Sequence, residues 1–294
     1  MLIPFSYFRK SLSFVIVTIL SLQVLFATGI EPTVKSLDTT WENRDKQFSE
    51  IVGFLNTTAK EKKKIEDYDV LWRVLRMYYY TSGFATEQEI PRKKMADFLE
   101  YAIVLGKKTI EKFPNKVEGH YWHAVNLGLH GLANGIMKSL GNKDAMFESL
   151  NKAIKIDPNY HVGGPYRVRG RLYFKLPGLV GGSNSKALAD LKEAKKIGKD
   201  CRLNHVYFAQ VAADELDEED VAKSLIVAYK APSIMGSREE ADYKGQMVST
   251  LLDYYDDGDV SKNNQQELLK ILKIYAKDTD IRGDVRQKIE KELR

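Results

Sequence analysis

The chain has 294 residues, 44% hydrophobic and 29% charged, enough apolar material for one large folded domain or two smaller ones, which excludes a disordered polymer. Its formal charge is +5, with Arg9 and Lys10 in an apolar leader; so small an excess, without a basic stripe interleaved with aromatics, excludes a nucleic-acid-binding chain. Cys201 is the only cysteine, so no internal disulfide can form and it reads as a small buried apolar side chain.

Residues 1–29 read as a targeting segment. MLIPFSYFRK is mildly basic, and SLSFVIVTILSLQVLFA is an apolar run the length of a signal-peptide core and short for a spanning helix. Ala27 and Gly29 offer small residues for cleavage after Gly29. The expectation is an exported chain, periplasmic or envelope-associated, with an uncleaved leader as a membrane anchor in the alternative. With no cysteine in this region, it is not expected to be a lipoprotein.

Residues 30–294 read as a single all-helical domain, because apolar residues recur at three- and four-residue spacing and no alternating strand pattern appears. Helices are expected at 41–58, 67–81, 92–112, 117–132, 145–155, 164–175, 185–197, 203–214, 218–229, 239–255 and 264–277. Turn signals FPNK, DPNY, LPGLVGGSN, APSIMGS and DDGD fall between them.

A repeat underlies these helices. Met146, Leu150, Ala153 and Pro158 recur in spacing as Ala187, Leu191, Ala194 and Lys199, with weaker copies at Ala102, Gly106, Thr109, Pro114 and at Val221, Leu225, Ala228. Small residues four and seven apart let the partner helix of a hairpin approach closely, and a terminal proline stops the helix. The pattern resembles the tetratricopeptide repeat; Gly170 and Tyr173 fit its first-helix positions, and EGHYWHAVNLG supplies Trp122 and a similar small-residue face. The fold implied is an α-α superhelix of about four hairpins, at 67–114, 117–158, 164–199 and 203–233, with C-terminal helices at 239–277. Thr109, Ala153, Ala194 and Ala228 are spaced by 44, 41 and 34 residues, and only the last matches a unit of roughly 34. The excess is expected in long inner links, HGLANGIMKSLGNKD in the second hairpin and LPGLVGG in the third.

The order of EGHYWHAVNLG, a long link, and AIKIDPNYHVGGPYRVRGRLYFKLPGLVGGSNSKALADLKEA is similar to the T-component family of tripartite ATP-independent periplasmic (TRAP) transporters, over about residues 40–277. That resemblance implies an accessory binding component without catalysis, associated with a periplasmic substrate-binding protein, holding a hydrophobic or amphiphilic small molecule in a helical pore and forming a homo-oligomer. The alternative is an exported tetratricopeptide scaffold for protein–protein interaction with no small ligand.

The residues offer little for catalysis. His120, His123 and His130 fall close together, but with only Glu118 nearby they read as packing or polar side chains before metal ligands. DDGD lacks the carboxylates of a calcium loop, with Tyr255 and Asn264 at ligand positions. GGSNSK lacks the spacing of a phosphate loop and reads as a helix cap. No glycine-framed serine appears, so no catalytic, metal or cofactor site is expected. The aromatic residues are more informative: neighbours such as YY or YF point about 100° apart on a helix and cannot share one seam. Trp72, Tyr79, Trp122, Tyr166 and Tyr173, with Arg73 and Arg76 and the tip residues Leu179 and Val180, are the candidate ligand- or partner-binding set.

Overall fold

The computed structural model describes residues 32–61, 65–213, 218–255, 260–278 and 283–293; the leader and the DDGD turn lie outside them. Helix α1 (Val34–Glu42) starts at a capping box in which the Thr33 side chain accepts from the Ser36 backbone and Ser36 answers it. It stops at Asn43, and α2 (Phe48–Lys60) follows. The sequence predicts one helix over 41–58. Two form because the polar NRDKQ stretch turns, freeing Arg44 and Asp45 for partners almost two hundred residues away.

Four helical hairpins follow: α3 (Tyr68–Phe84) with α4 (Arg92–Lys112), α5 (Val117–Asn134) with α6 (Ile136–Ile156), α7 (Tyr160–Lys175) with α8 (Asn184–Ile197), and α9 (Arg202–Ala212) with α10 (Glu218–Lys230). Helices α11 (Ser237–Tyr255), α12 (Lys262–Tyr275) and α13 (Gly283–Glu292) complete an all-helical α-α superhelix with no strand among the described residues. The small-residue seam predicted from sequence closes the hairpins: Ala102, Ala153, Ala187, Ala194 and Ala228 are fully buried. Gly170 is obligatory there, since a Cβ would stand 2.9 Å from the Leu191 side chain and 3.1 Å from the Ala187 carbonyl.

The long links resolve differently. The extra residues of the second hairpin lengthen its two helices, and a single residue, Gly135 at φ 86°, makes the turn between them; helix α6 begins at Ile136, nine residues before the expected start. In the third hairpin the link is real. Pro177 precedes a short 3₁₀ turn (Gly178–Val180), Gly181 takes φ 104°, and the Ser183 side chain accepts from the Lys186 backbone to start α8.

Helices α3, α5, α7, α9 and α11 touch in succession, and α11 returns to α3. A row whose ends meet is the inside of the curve, so these first helices form the inner layer. The closure is polar: Arg44 pairs with Glu239 at 2.8 Å, Arg238 holds Glu89 through two bonds of 2.9 Å, and Asp45 accepts from Ser237 and Tyr80. Although burial pushes the Asp45 carboxyl up, the bonds from Ser237 and Tyr80 outweigh it and bring its pKa down to about 2.

Two apolar clusters carry the stability. One spans α1 to α5, from Leu37 to Trp122, and the other α8 to α13, from Ala187 to Ile289. Each fully buried Leu, Ile or Phe contributes about 1.5–3 kcal/mol. Helix α7, whose sequence YHVGGPYRVRGRLYFK is poor in aliphatics, lies between the two, and it is there that polar chemistry concentrates.

Candidate functional site

Helix α7 opens with a backbone that its sequence tolerates poorly. His161, Val162 and Gly163 have φ of 49°, 59° and 77°, three consecutive left-handed residues, two of them not glycine. A β-branched residue there is strained by about 1–2 kcal/mol. The helix proper resumes at Gly164, with Pro165 in its first turn, where its missing N–H costs nothing.

Three arginines then alternate in RVRGR. Arg169 reaches across the hairpin to α8 and is bidentate to the buried Asp190 at 2.8 and 2.7 Å, with Asn151 at 2.6 Å. Arg167 and Arg171, one turn apart, share the opposite face. Arg167 is 3% exposed; it donates to Asn204 Oδ1 at 2.8 Å, to the carbonyls of His161 and Val162, and to Tyr121 Oη at 3.5 Å, and its guanidinium lies 3.0 Å from His161 Nδ1. Asn204 in turn donates to the Val162, Ala194 and Gly198 carbonyls. This cluster ties the left-handed turn to the ends of α8 and α9.

Arg171 has far less. It donates to Gln210 Oε1 at 2.5 Å and lies over the Tyr207 ring at 4.4 Å and the Phe174 ring at 5.5 Å. Lys175, one turn on, lies over Phe174 at 5.2 Å. Burial pushes the pKa of Arg171 down, and burial followed by the charge of Arg171 lowers that of Lys175. Among the described residues neither cation has a carboxylate partner.

The expected site residues divide. Tyr79 and Trp122 meet in the inner layer with ring centroids 5.1 Å apart; Tyr79 Oη reaches Tyr243 Oη at 3.1 Å and Glu239 at 3.3 Å, and the Trp122 indole donates to Tyr160 Oη at 2.9 Å. Where a pore was expected, these rings and Tyr121 pack on one another. Arg73 is bidentate to Asp38 of α1, and Arg76 stacks on Trp41 and Trp72 beside the same carboxylate, so α1 engages Arg73 and Arg76, which in turn lie on Trp72. Tyr166 lies under Arg169 and Tyr173 packs on Phe147, both away from the Tyr79–Trp122 layer. Leu179 stands fully exposed on the 3₁₀ turn and Val180 is half-buried beside it.

Sequence reasoning missed Arg167 and Arg171, because alternating cations read as a solvated face. It also missed a device shared by two hairpins. His120 and His205 are both buried, and each bonds through Nε2 to the carbonyl six residues back, Pro114 and Lys199, leaving Nδ1 without a partner. HYWHA and HVYFA carry that signal in the sequence. A recess of about 500 Å³ lies beside His120, between the ends of α4 and α6, where Glu111 and Glu148 accompany Lys152 and Lys155. Among the described residues, no three His, Cys, Asp or Glu side chains gather as metal ligands, and no helix is long and apolar enough to cross a membrane.

Known proteins resemble the chain in two ways. The model of the family described as regulator of microtubule dynamics protein 1-3 matches residues 33–180, half of the chain. Regulator of microtubule dynamics protein 1 from Bos taurus is 30% identical over 97 residues, 33% of this chain and 29% of that protein; its Pongo abelii counterpart is 30% identical over the same length, 30% of that protein. The aligned stretch is thus under a third of each relative's length. The crystal structure of a thermophilic TPR protein of Thermus thermophilus matches with a TM-score of 0.50 at 15% identity, covering 74% of this chain and 99% of that one, which supports the helical-repeat fold alone.

These matches overturn the resemblance to the TRAP transporter T-component, and with it the expected periplasmic substrate-binding partner, the apolar pore ligand and the homo-oligomer drawn from that family. The signals that carried it, the DP turn and LPGLVGG, sit within or beside residues 33–180. Their geometry explains why they misled. A left-handed entry to α7 and a 3₁₀ link to α8 are connector devices, and they encode a hairpin's shape without naming its partner.

Proposed function

For a chain that belongs to the family of regulator of microtubule dynamics proteins 1-3, we propose the work of a helical-repeat scaffold that holds a partner protein by its acidic surface. The observation that supports this is the charge distribution. Residues 92–202 carry 21 Lys and Arg against 10 Asp and Glu, while the rest of the chain carries 24 against 30. The central hairpins are therefore strongly basic within a chain whose overall excess is small, and such a field attracts and orients an acidic partner.

The relatives' name directs the test to microtubules. Purified protein, without the leader, is expected to pellet with microtubules assembled from pure tubulin at low salt and to be released as ionic strength rises past about 0.15 M, where screening shortens to about 8 Å. Protein left in the supernatant at every salt concentration would sink the microtubule reading and leave a scaffold for another acidic partner.

In this reading the leader of residues 1–29 stays attached and holds the basic body at a membrane face, because a cleaved, exported chain would be separated from a cytoskeletal partner. Protein recovered from its own cells is then expected to retain the leader peptide in mass spectrometry. An N-terminus at Ile30 would restore export.

A further inference from the structure

Two neighbouring cations on α7 lack the carboxylate partners that most buried arginines described in this fold have. Arg73, Arg44, Arg202 and Arg238 are each held by a carboxylate, and Arg167 by carbonyls and an amide. Arg171 and Lys175 have the Gln210 amide oxygen and two aromatic faces, and lie close enough for the charge of one to disfavour the charge of the other. Keeping two partly desolvated like charges together is unfavourable unless an anion joins them.

We propose that the seam of α7 and α9 around Arg171 and Lys175 is a carboxylate-binding site for an acidic, partly apolar peptide segment of a partner protein. This rests on the scaffold reading above. Arg171 offers a planar donor fork, suited to a carboxylate taken bidentately, and Lys175, which is exposed, adds a second charge at the mouth. Gln210 is held from behind by its own bond to Thr250 at 3.0 Å, so the donor fork of Arg171 is fixed before any ligand arrives. The half-buried Phe174 ring and fully exposed Leu179, at the same end of α7, provide the apolar contact that selects a peptide over a simple anion. A fully exposed leucine on the 3₁₀ turn that follows α7 has no role in the core.

The test uses the full chain, solubilised in a neutral detergent, and a short fluorescein-labelled peptide of Glu interspersed with Leu and Phe, followed by fluorescence anisotropy. Binding is expected to weaken at least tenfold when every Glu is replaced by Gln, and about tenfold in each of Arg171→Gln and Lys175→Gln. Leu179→Ser is expected to weaken it several-fold. Circular dichroism melts should show Lys175→Gln folded as the parent, which keeps the test valid should Arg171→Gln prove unstable. Equal affinity of the Glu and Gln peptides, or unchanged affinity in Lys175→Gln and Arg171→Gln, would overturn the site. Inorganic phosphate displacing the peptide at low millimolar concentration would overturn the choice of a peptide in favour of a free anion. Peptide binding without microtubule pelleting leaves this site standing and removes only the microtubule reading; pelleting without any peptide binding does the reverse.

Discussion

Arg167 and Arg171 lie one turn apart on the same face of α7, and neither meets a carboxylate, yet their surroundings are opposite. Arg167 is saturated by the His161 and Val162 carbonyls, Asn204 and the Tyr121 hydroxyl. Arg171 has one amide and two rings. Oxygen atoms with oriented dipoles satisfy a buried guanidinium as well as an ion pair does, so the first arginine is architecture. The second keeps donors to spare, and spare donors beside another cation are what a binding surface needs.

The sharpest way to break this contrast is Arg167→Met. Its loss strands the Asn204 amide oxygen and two carbonyls of the left-handed turn, a set of buried acceptors worth about 3–5 kcal/mol. Urea unfolding should show that loss, and the melting temperature should fall by roughly 10 °C for a chain of this size. A change under about 1 kcal/mol would mean that packing against α8 alone holds the turn.

Acid should destabilise the fold next, at the turn and at the neighbouring α5–α6 hairpin. Burial, reinforced by Arg167, lowers the pKa of His161 to about 3, and burial lowers that of His123 to about 4. Both folded values lie below the unfolded value of about 6.5. Stability is therefore fully present above pH 6.5 and declines as the unfolded chain takes up protons that the folded one refuses, down to pH 4 and below. At about 1.4 kcal/mol per unit, the upper bound is about 3 kcal/mol for His123 alone. Urea midpoints at pH 7 and pH 5 should differ, and His123→Gln should reduce the difference while His161 keeps its share; a parent chain insensitive to pH in this window would place both imidazoles in water.

Val162→Gly tests the strain directly and carries a smaller effect of opposite sign. Relief of a β-branched left-handed residue, about 1–2 kcal/mol, outweighs the entropy a glycine adds, about 0.5–1 kcal/mol, so a gain of up to about 1 kcal/mol in urea unfolding is expected. A loss would show that the Val162 side chain contributes more through contact than its backbone costs.

These features were unequally visible in the amino-acid sequence. The seam of Ala102, Ala153, Ala187, Ala194 and Ala228 was legible because helix–helix approach imposes a local spacing on small residues. The connectors were legible only where a breaker was unambiguous: Pro177 marked the third link, but Gly135 hid within HGLANGIMK, because a lone glycine fits a helix interior or a turn. The clasp of Arg44 on Glu239 spans 195 residues, and no local pattern announces it. Tyr79 and Trp122 were named from aromatic crowding as candidate binding residues, and their rings pack on one another in the inner layer. Arg171 was overlooked because RVRGR looks like any solvated helix until Tyr207 and Gln210 of the next hairpin pack against it.

The smallest expected effect is the one that decides between the two arginines. Replacing Arg171 with Met removes a hydrogen bond worth about 1 kcal/mol and cation–π contacts worth about 0.5–1 kcal/mol. It also removes a charge whose burial no carboxylate offsets, and it keeps the apolar stem between Phe174 and Tyr207. The terms oppose one another, so stability should stay within about 0.5 kcal/mol of the parent. If Arg171 were a second Arg167, the loss would approach that of Arg167→Met, and the two substitutions combined would show whether the sites couple. Near-neutrality together with lost peptide binding is the signature of a residue kept for function at no benefit to the fold. Near-neutrality with binding intact would assign it to neither.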